Sequence, residues 1–333
     1  MQVVTSAVER ILREHAGRGD HTRVAGVSRA GSRTVGRVSP TSAGDASERE
    51  LFEIGSLTKV VTGTLLAEMH VGGEVDLSDP LSRHLPASDA PSWRHREPTL
   101  EELATHRSDL PNTPKPLAGR ELRAGLGLVR GDPWAGVSEE DYRRMLRETR
   151  PRRPPGGRMR YSSAGFGLLG DALAARAGTS YDELLRRRVC LPLGLRDTAV
   201  EVDPSRLAAG HSRRGAPRPP LRDFMPAAGS LRSSAGDVLT FLEACLSPPG
   251  DRLGEALALA LQPHARINRR LSIGLGWLIL KRRRRPAVVW HNGGTWGFRS
   301  FAAIVPDETL AVVVLSNTTR PVDRIGFDLL EGR

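Results

Sequence analysis

The sequence predicts an α/β protein of the α+β type, in which an antiparallel sheet is flanked by helices and lies beside a mostly helical lobe. Strand-like segments with alternating or β-branched residues occur near both ends of the chain, in residues 21–54 and 271–315. The long segment between them is rich in proline and in helical patterns. We therefore expect both ends of the chain to form one sheet, with the terminal helices packed against it.

The same division predicts the domain organisation. Residues 1–74 and 237–333 are expected to form an α/β core domain, and residues 75–236 a helical insertion lobe. The length of 333 residues is sufficient for a large domain that carries such an insertion. A cleft between the two parts is the expected place for a ligand.

The individual elements follow from periodicity, capping residues and glycine or proline breaks. Before residue 75 we predict a helix (3–16), a hairpin turning at Ala30-Gly31 (21–28 and 33–39), a strand (50–54) and an apolar helix (60–69). The predicted middle helices are 99–105, 139–148, 164–177, 181–190 and 238–246, the last with Ser233 or Ser234 as N-cap. The predicted C-terminal elements are strands 271–280, 287–290, 299–305 and 309–315 and a helix over 321–330.

Composition and charge exclude several classes of protein. The formal net charge is +11, but the arginines are spread along the chain and no basic helix is interleaved with aromatic residues, so we expect no nucleic-acid partner. No run of 18 apolar residues occurs, and we expect no membrane partner. The N-terminus lacks the pattern of a secretory signal, and Cys190 and Cys245 sit apart in apolar contexts. These features predict a cytoplasmic protein with buried free thiols.

The tetrad Ser56-Leu57-Thr58-Lys59 stands where a strand-like run gives way to an apolar helix. Residues three apart on a helix share a face, so the lysine amine is expected beside the serine hydroxyl. Serine becomes a useful nucleophile when an adjacent base takes its proton. A serine N-cap followed by a solvated lysine also produces this tetrad, and the remaining motifs have to decide between the two.

Two further segments carry candidate chemistry. Tyr161-Ser162-Ser163 lies at a junction between a loop and a helix, where a phenol next to a lysine ammonium is a candidate general base, although tyrosines at such junctions often serve packing. His291-Asn292-Gly293-Gly294 follows the strand over 287–290. Its glycines allow another backbone or a ligand to approach closely, although a glycine-rich turn explains them equally well.

In this order the three segments resemble the motifs of the serine β-lactamase and penicillin-binding-protein superfamily. Within it, the chain resembles the branch of class C β-lactamases, D-alanyl-D-alanine carboxypeptidases and family VIII esterases. S-x-x-K matches Ser56 and Lys59, Y-x-S matches Tyr161 to Ser163, and H-x-G matches His291 to Gly293. The resemblance covers about residues 50–318 and includes the connecting segments 101–111, 191–198, 228–234 and 313–317. It implies the β-lactamase/transpeptidase-like fold.

The resemblance also implies a mechanism without metal or organic cofactor, in which a small-molecule ester or amide acylates Ser56. Lys59 and Tyr161 would share the proton transfer, with Lys59 lowering the pKa of Tyr161. Which of the two is the working base stays open at this point. The backbone N–H groups of Ser56 and Gly294 would form the oxyanion hole. The implied substrate-binding residues are Ser163, His291, Asn292, Gly293 and Arg299.

The sequence departs from class C β-lactamases at residues that bear on the substrate. Ser163 stands where these enzymes usually have asparagine, and His291 stands where they have lysine, so a fixed positive charge is lost. Arg299 is a candidate anion contact, Trp296 is expected at the cleft rim or in packing, and Asp109, in place of glycine, is expected to alter the backbone only locally.

These departures favour an esterase or peptidase-like serine hydrolase over a dedicated β-lactamase. Three alternatives remain open. A transacylase or amide-forming enzyme of specialised metabolism would use the same acyl-enzyme with another acceptor. A true class C-type β-lactamase would turn over β-lactams. A scaffold protein would keep the fold without the chemistry.

Overall fold

The computed structural model describes residues 7–16, 22–39, 49–125, 134–222 and 224–332. The predicted helical residues 3–6 and the predicted strand residue 21 lie outside these ranges. The α-helices are α1 (Ala7–Glu14), α2 (Thr58–Val71), α3 (Leu100–Ala104), α4 (Lys115–Gly125), α5 (Glu139–Glu148), α6 (Ser163–Ala177), α7 (Tyr181–Leu185), α8 (Leu191–Leu193), α9 (Pro226–Gly229), α10 (Ala235–Leu246), α11 (Arg252–Leu261) and α12 (Asp323–Glu331). The strands are β1 (Arg23–Arg29), β2 (Ser32–Val38), β3 (Phe52–Glu53), β4 (Arg232–Ser233), β5 (Ala265–Arg266), β6 (Leu271–Ile273), β7 (Leu278–Leu280), β8 (Val288–Gly294), β9 (Arg299–Val305) and β10 (Leu310–Ser316).

Strands from both ends of the chain form one antiparallel sheet of eight strands in the described residues. The strand order is β2-β1-β10-β9-β8-β7-β6-β5, so β1 pairs with β10 although the two are far apart in sequence. In this pair Val24 lies opposite Leu315 and Val27 lies opposite Val312. The predicted hairpin of β1 and β2 and the predicted sheet built from both ends of the chain are confirmed.

Helices cover both faces of the sheet. Val312 and Val314 of β10 belong to an apolar cluster with residues of α1 and α12. Val313 and Leu315 belong to a larger cluster with residues of α2 and α10. Because successive side chains of a strand point to opposite faces, a central strand covered on both sides is apolar throughout.

Helix α2 carries the lysine of the S-x-x-K tetrad through the middle of the protein. Its residues from Thr58 to Met69 are buried, and the helix packs against α6, α9 and α11. A surface helix is buried along one stripe, whereas α2 is buried on all sides over these residues, as expected of a helix in a core. This packing holds the N-terminus of α2 in a defined position.

The prediction of a single strand over residues 271–280 is wrong. The run forms two strands, β6 and β7, which pair with each other in antiparallel fashion. Gly274 N donates to Trp277 O at 2.8 Å, and Gly276 has a φ of +84°. A Cβ atom at Gly276 would lie 2.6 Å from the backbone oxygen of Lys59. Glycine therefore permits both the turn and its close packing against α2.

Between residues 75 and 231 the described residues form helices, turns and isolated bridges, as predicted for the middle of the chain. Helix α5 has the predicted bounds and a capping box at Ser138. The sequence patterns did not indicate α4 and α11, which contain Gly119 and Gly254. The larger apolar cluster includes residues from both predicted domains, among them Leu65 and Leu169, and the domain boundaries stay a prediction.

The sequence predicts buried free thiols and no segment that spans a membrane. Cys190 and Cys245 are buried free thiols, as predicted. Burial raises the pKa of the Cys190 thiol to about 12, so its thiolate does not form near neutral pH. Among the described residues, each helix is too short or too polar to traverse a lipid bilayer.

Gly63→Ala is expected to destabilise the protein, although alanine favours helices. A Cβ atom at position 63 would lie 2.0 Å from the backbone oxygen of Leu275, so α2 and the β6–β7 turn have to separate. We expect the free energy of unfolding in urea to fall by about 1–3 kcal/mol. Gly119→Ala in α4 is the control, because nothing lies within 4 Å of its added Cβ. A gain in stability for Gly63→Ala would contradict this close approach.

Candidate active site

Ser56 and Lys59 lie side by side at the start of α2. Gly55 to Leu57 form a 3-10 turn that continues directly into the helix. The turn starts with Gly55 at a φ of +52°, and a Cβ atom there would lie 2.6 Å from Gly294 N. The Lys59 amine lies 3.1 Å from Ser56 Oγ. The structure therefore brings the two residues together as the tetrad predicts.

The amine of Lys59 is fully buried among oxygen atoms. It donates to the backbone oxygen of Ala228 at 2.5 Å and to Ser163 Oγ at 3.2 Å, in addition to its contact with Ser56. The residue has no exposed surface, and this burial lowers the pKa of Lys59 to about 7. A large part of the Lys59 population is therefore neutral at physiological pH.

The neighbours of Lys59 determine where its lone pair points. Ser163 N donates to Asn112 Oδ1 at 3.2 Å, and the Ser163 hydroxyl donates to the same oxygen at 2.9 Å. The Ser163 oxygen thus accepts from Lys59, as the carbonyl of Ala228 also does. A neutral amine has two hydrogens and one lone pair, so the lone pair is directed at the third partner, the Ser56 hydroxyl. This arrangement suits proton transfer from Ser56 to Lys59.

Tyr161 lies against Lys59 at the opening of the site, with the amine 5.0 Å from its ring centroid. The ring is tilted over His106 at 4.4 Å between centroids, and Ser162 N donates to His106 Nδ1. Burial raises the pKa of Tyr161 to about 12, although its hydrogen bond with Ser56 acts in the opposite direction. The expectation that Lys59 lowers the pKa of Tyr161 is therefore wrong, because burial dominates and Lys59, with a pKa of about 7, has lost its charge before the phenol titrates.

The third motif lies within a strand, contrary to the expectation that it follows one. His291 to Gly294 are the last residues of β8 and pair with β9. His291 is buried below Tyr161, at 6.3 Å between ring centroids. Burial, together with the Lys59 charge, lowers the pKa of His291 to about 4. Its imidazole is neutral at pH 7, so the motif carries no positive charge.

The predicted binding role of the Asn292 side chain is not supported. Alternation along β8 places it on the opposite side of the sheet, where its amide donates to Asp323 Oδ1 at 2.5 Å. Gly293 points to the side of Ser56, and a Cβ atom on it would lie 2.1 Å from Ile54 O and 3.0 Å from Ser56 N. Gly293 therefore acts by allowing two backbones to meet.

A cavity of about 320 Å³ opens beside Ser56. Tyr161, Ser163, Gly294 and Arg299 line it together with Ser56, whereas His291, Asn292 and Gly293 do not. Trp296 also lines it, and the two placements expected for Trp296, cleft rim or packing, stay open. Because Ser56 and Gly294 share this wall, their backbone N–H groups are candidate donors to a substrate oxygen.

The guanidinium of Arg299 is partly occupied by hydrogen bonds within the protein. Its Nη1 donates to Thr295 O at 2.8 Å and to Phe298 O at 2.7 Å. Burial lowers the pKa of Arg299 somewhat from its ordinary value, while the Asp323 charge acts in the opposite direction. Since Arg299 also lines the cavity, it remains a candidate anion contact.

Sequence reasoning missed several residues that line the cavity, among them Asn112, Thr113, Glu121 and Trp134. Asn112 directly follows the segment 101–111, which resembles a connecting segment of the family. This position was the one feature of the sequence that could have indicated Asn112. Thr113, Glu121 and Trp134 belong to no recognisable motif. Tertiary packing brings them to the cavity, and a local pattern does not indicate it.

The chain is similar to known proteins of one family. Residues 8–329 match the model of a protein family described as "Beta-lactamase". D-alanyl-D-alanine-carboxypeptidase/endopeptidase AmpH of Escherichia coli (strain K12) is 29% identical over 293 residues, covering 82% of this chain and 72% of AmpH. A beta-lactamase of Pseudomonas fluorescens is 25% identical over 356 residues, covering 96% of this chain and 94% of that protein.

Solved structures show the same fold. A class C beta lactamase from Rhodobacter sphaeroides has a TM-score of 0.77 at 26% identity, covering 98% of this chain and 97% of that chain. Another class C beta-lactamase has a TM-score of 0.81 at 18% identity, covering 98% and 95%, which is a likeness of fold alone. The predicted fold class and resemblance are confirmed. Because the family match spans residues 8–329, the chain belongs to the beta-lactamase family of serine hydrolases.

Proposed function

We propose that the protein hydrolyses an ester or amide bond through an acyl-enzyme on Ser56, with Lys59 as the base. The observation that carries this proposal is the buried Lys59 amine, which has a pKa of about 7 and lies 3.1 Å from Ser56 Oγ. A base whose pKa lies near the working pH is best suited to accept a proton. Tyr161 keeps its proton, since its pKa is about 12.

Acylation begins when Ser56 Oγ attacks the substrate carbonyl carbon and its proton passes to Lys59. The negative charge on the carbonyl oxygen is stabilised by the backbone N–H groups of Ser56 and Gly294. When the tetrahedral intermediate collapses, the leaving oxygen or nitrogen takes a proton from the Tyr161 hydroxyl. The Lys59 ammonium then returns a proton to Tyr161, so both groups regain their starting states.

Deacylation repeats the same transfers with water. A water molecule attacks the ester carbon while Lys59 accepts one of its protons. The Ser56 oxygen leaves with a proton from Tyr161, and the Lys59 ammonium returns a proton to Tyr161. If an amine or alcohol replaces water, the same steps give a transacylase. An amine acceptor added to the assay separates the two outcomes, because acyl transfer yields an amide in place of the free acid.

An esterase or peptidase-like substrate fits the site better than a β-lactam. Ser163 uses its short hydroxyl to join Lys59 to Asn112, and therefore projects no amide into the cavity. His291 is neutral and buried, so it offers no charge to a β-lactam carboxylate. A class C-type β-lactamase remains the second candidate, because Arg299 lines the cavity and is a candidate partner for that carboxylate.

Labelling with a fluorophosphonate tests the nucleophile. We expect a mass increase on the peptide that contains Ser56 and no labelling of Ser56→Ala, because that variant lacks the attacking oxygen. Equal labelling of wild type and Ser56→Ala would remove Ser56 from the mechanism. Turnover of a short p-nitrophenyl ester and a chromogenic cephalosporin then separates the two candidates, since faster turnover of the cephalosporin would favour the β-lactamase.

A further inference from the structure

Glu121 of α4 presents a carboxylate to the cavity beside Ser56. Thr113 Oγ1 donates to Glu121 Oε2 at 2.9 Å, and Trp134 Nε1 donates to Glu121 Oε1 at 3.0 Å. Each oxygen thus has one donor, and a carboxylate can accept about four hydrogen bonds. The side chain is held in place with acceptor capacity left over.

No cation among the described residues neutralises Glu121. It forms no ion pair with any of them, and the arginines that line the same cavity, Arg222 and Arg299, donate to backbone oxygens of Val137, Thr295 and Phe298. Burial raises the pKa of Glu121, and the opposing influences are the two hydrogen bonds from Thr113 and Trp134. Among the described residues this partly buried carboxylate has no countercharge, which is costly, and a bound cation would reduce that cost.

Glu121 is connected to the nucleophile along one wall of the cavity. Lys59 contacts Ser163, and Ser163 contacts Asn112. Thr113 is the next residue in the chain and contacts Glu121. A substrate whose carbonyl lies at Ser56 therefore has Glu121 within the same cavity.

The surroundings of Glu121 suit an ammonium group. An ammonium brings several N–H donors and no acceptor, which matches the remaining lone pairs of the carboxylate. The Trp134 indole lines the cavity next to it and is stacked with Tyr142 and Phe224. Because its N–H edge is directed at Glu121, Trp134 holds the carboxylate in place, and the carboxylate is the group that binds the ammonium.

We propose that Glu121 determines specificity, and that the preferred substrates are esters or amides that carry a protonated primary amine at the Glu121 end of the cavity. This inference rests on the proposed function, because it assigns a substrate class to the Ser56 site. Glu121 contacts substrate and takes no part in the proton transfers.

Matched substrate pairs test the inference. One series is p-nitrophenyl ω-aminoalkanoates of graded length, and the other has a methyl group in place of each ammonium. We expect wild type to prefer the ammonium substrates in kcat/KM, and Glu121→Gln to reduce this preference roughly tenfold or more. Glutamine keeps the shape: its one oxygen can accept from Trp134, and its NH2 can donate to the Thr113 hydroxyl, which rotates to accept. The preference of wild type should also weaken as salt is added.

Glu255→Gln is the matched control, because it removes an exposed negative charge from α11, away from the cavity. It should retain the wild-type preference. The inference is overturned if wild type shows no preference for the ammonium series, or if Glu121→Gln retains the full preference. The second result would leave Glu121 as a structural link between α4, Thr113 and Trp134.

Two measurements separate this inference from the proposed function and from misfolding. Binding of an ω-amino amide and its methyl analogue to Ser56→Ala needs no turnover, so a preference lost in Ser56→Ala/Glu121→Gln supports the Glu121 site even if no ester is cleaved. If Glu121→Gln fails to fold, wild-type labelling by fluorophosphonate is assayed with n-alkylammonium or n-alkanol as competitor. Stronger protection by the ammonium supports the inference, and equal protection overturns it.

Discussion

Lys59→Met should reduce kcat/KM by about 10³-fold or more, because Ser56 loses the base that accepts its proton. In wild type, kcat/KM should rise with pH through about 7, where Lys59 loses its proton. The activity rises with pH because only the neutral amine is a base. Below the Lys59 pKa the side chain is an ammonium without a lone pair, and above this pKa the amine can accept the Ser56 proton. The limb near pH 7 should disappear in Lys59→Met.

Two controls accompany this prediction. Lys59→Met removes a buried amine, which stabilises the fold, but it also leaves the Ala228 carbonyl without a donor, which destabilises it. Because these two effects oppose each other, we expect the variant to be folded by circular dichroism. Lys59→Arg keeps a donor but always carries a proton, so it should be as inactive as Lys59→Met. Substantial activity in Lys59→Arg would rule out Lys59 as the base.

Gly293→Ala should lower kcat by about 10²-fold or more while the protein stays folded. A Cβ atom at this position would lie 2.1 Å from Ile54 O and 2.3 Å from Ser300 Oγ. Ser300 itself donates to Ile54 O at 2.7 Å, so the added methyl group has to push β8 away from the turn that carries Ser56. The N–H groups of Ser56 and Gly294 then separate, and loss of one oxyanion donor has an effect of this size.

The measurement is kcat and KM for a p-nitrophenyl ester, with the fold checked by circular dichroism. Gly157→Ala is the control, because its nearest neighbour, Pro154 O, would lie at an ordinary contact distance of 3.6 Å. It should retain wild-type kcat. If Gly293→Ala also retains it, the N–H groups of Ser56 and Gly294 do not form the oxyanion hole together.

The order of the secondary structure could be predicted because local patterns determine it. Alternation identified β1 and β2, and the β-branched and apolar residues of β10 identified a strand, which the structure shows to be buried on both faces. Caps and charge identified α5 with its bounds. Glycine caused two errors of prediction. Gly276 divides the apolar run over 271–280 into the hairpin of β6 and β7. Gly293 and Gly294 belong to strand β8, although glycine is unfavourable within strands.

The sequence by itself determined the candidate nucleophile, its neighbour and the family, because Ser56 and Lys59 are one helical turn apart and Tyr161 and the glycines near His291 follow in the family's order. Only the tertiary structure decided the electrostatics. Burial of Lys59 lowers its pKa, and the lone pair of Lys59 is directed by oxygens of Ser163 and Ala228, more than a hundred residues away in the chain. Such contacts depend on how α2, α6 and α9 pack, and a local pattern does not encode the distance between packed elements.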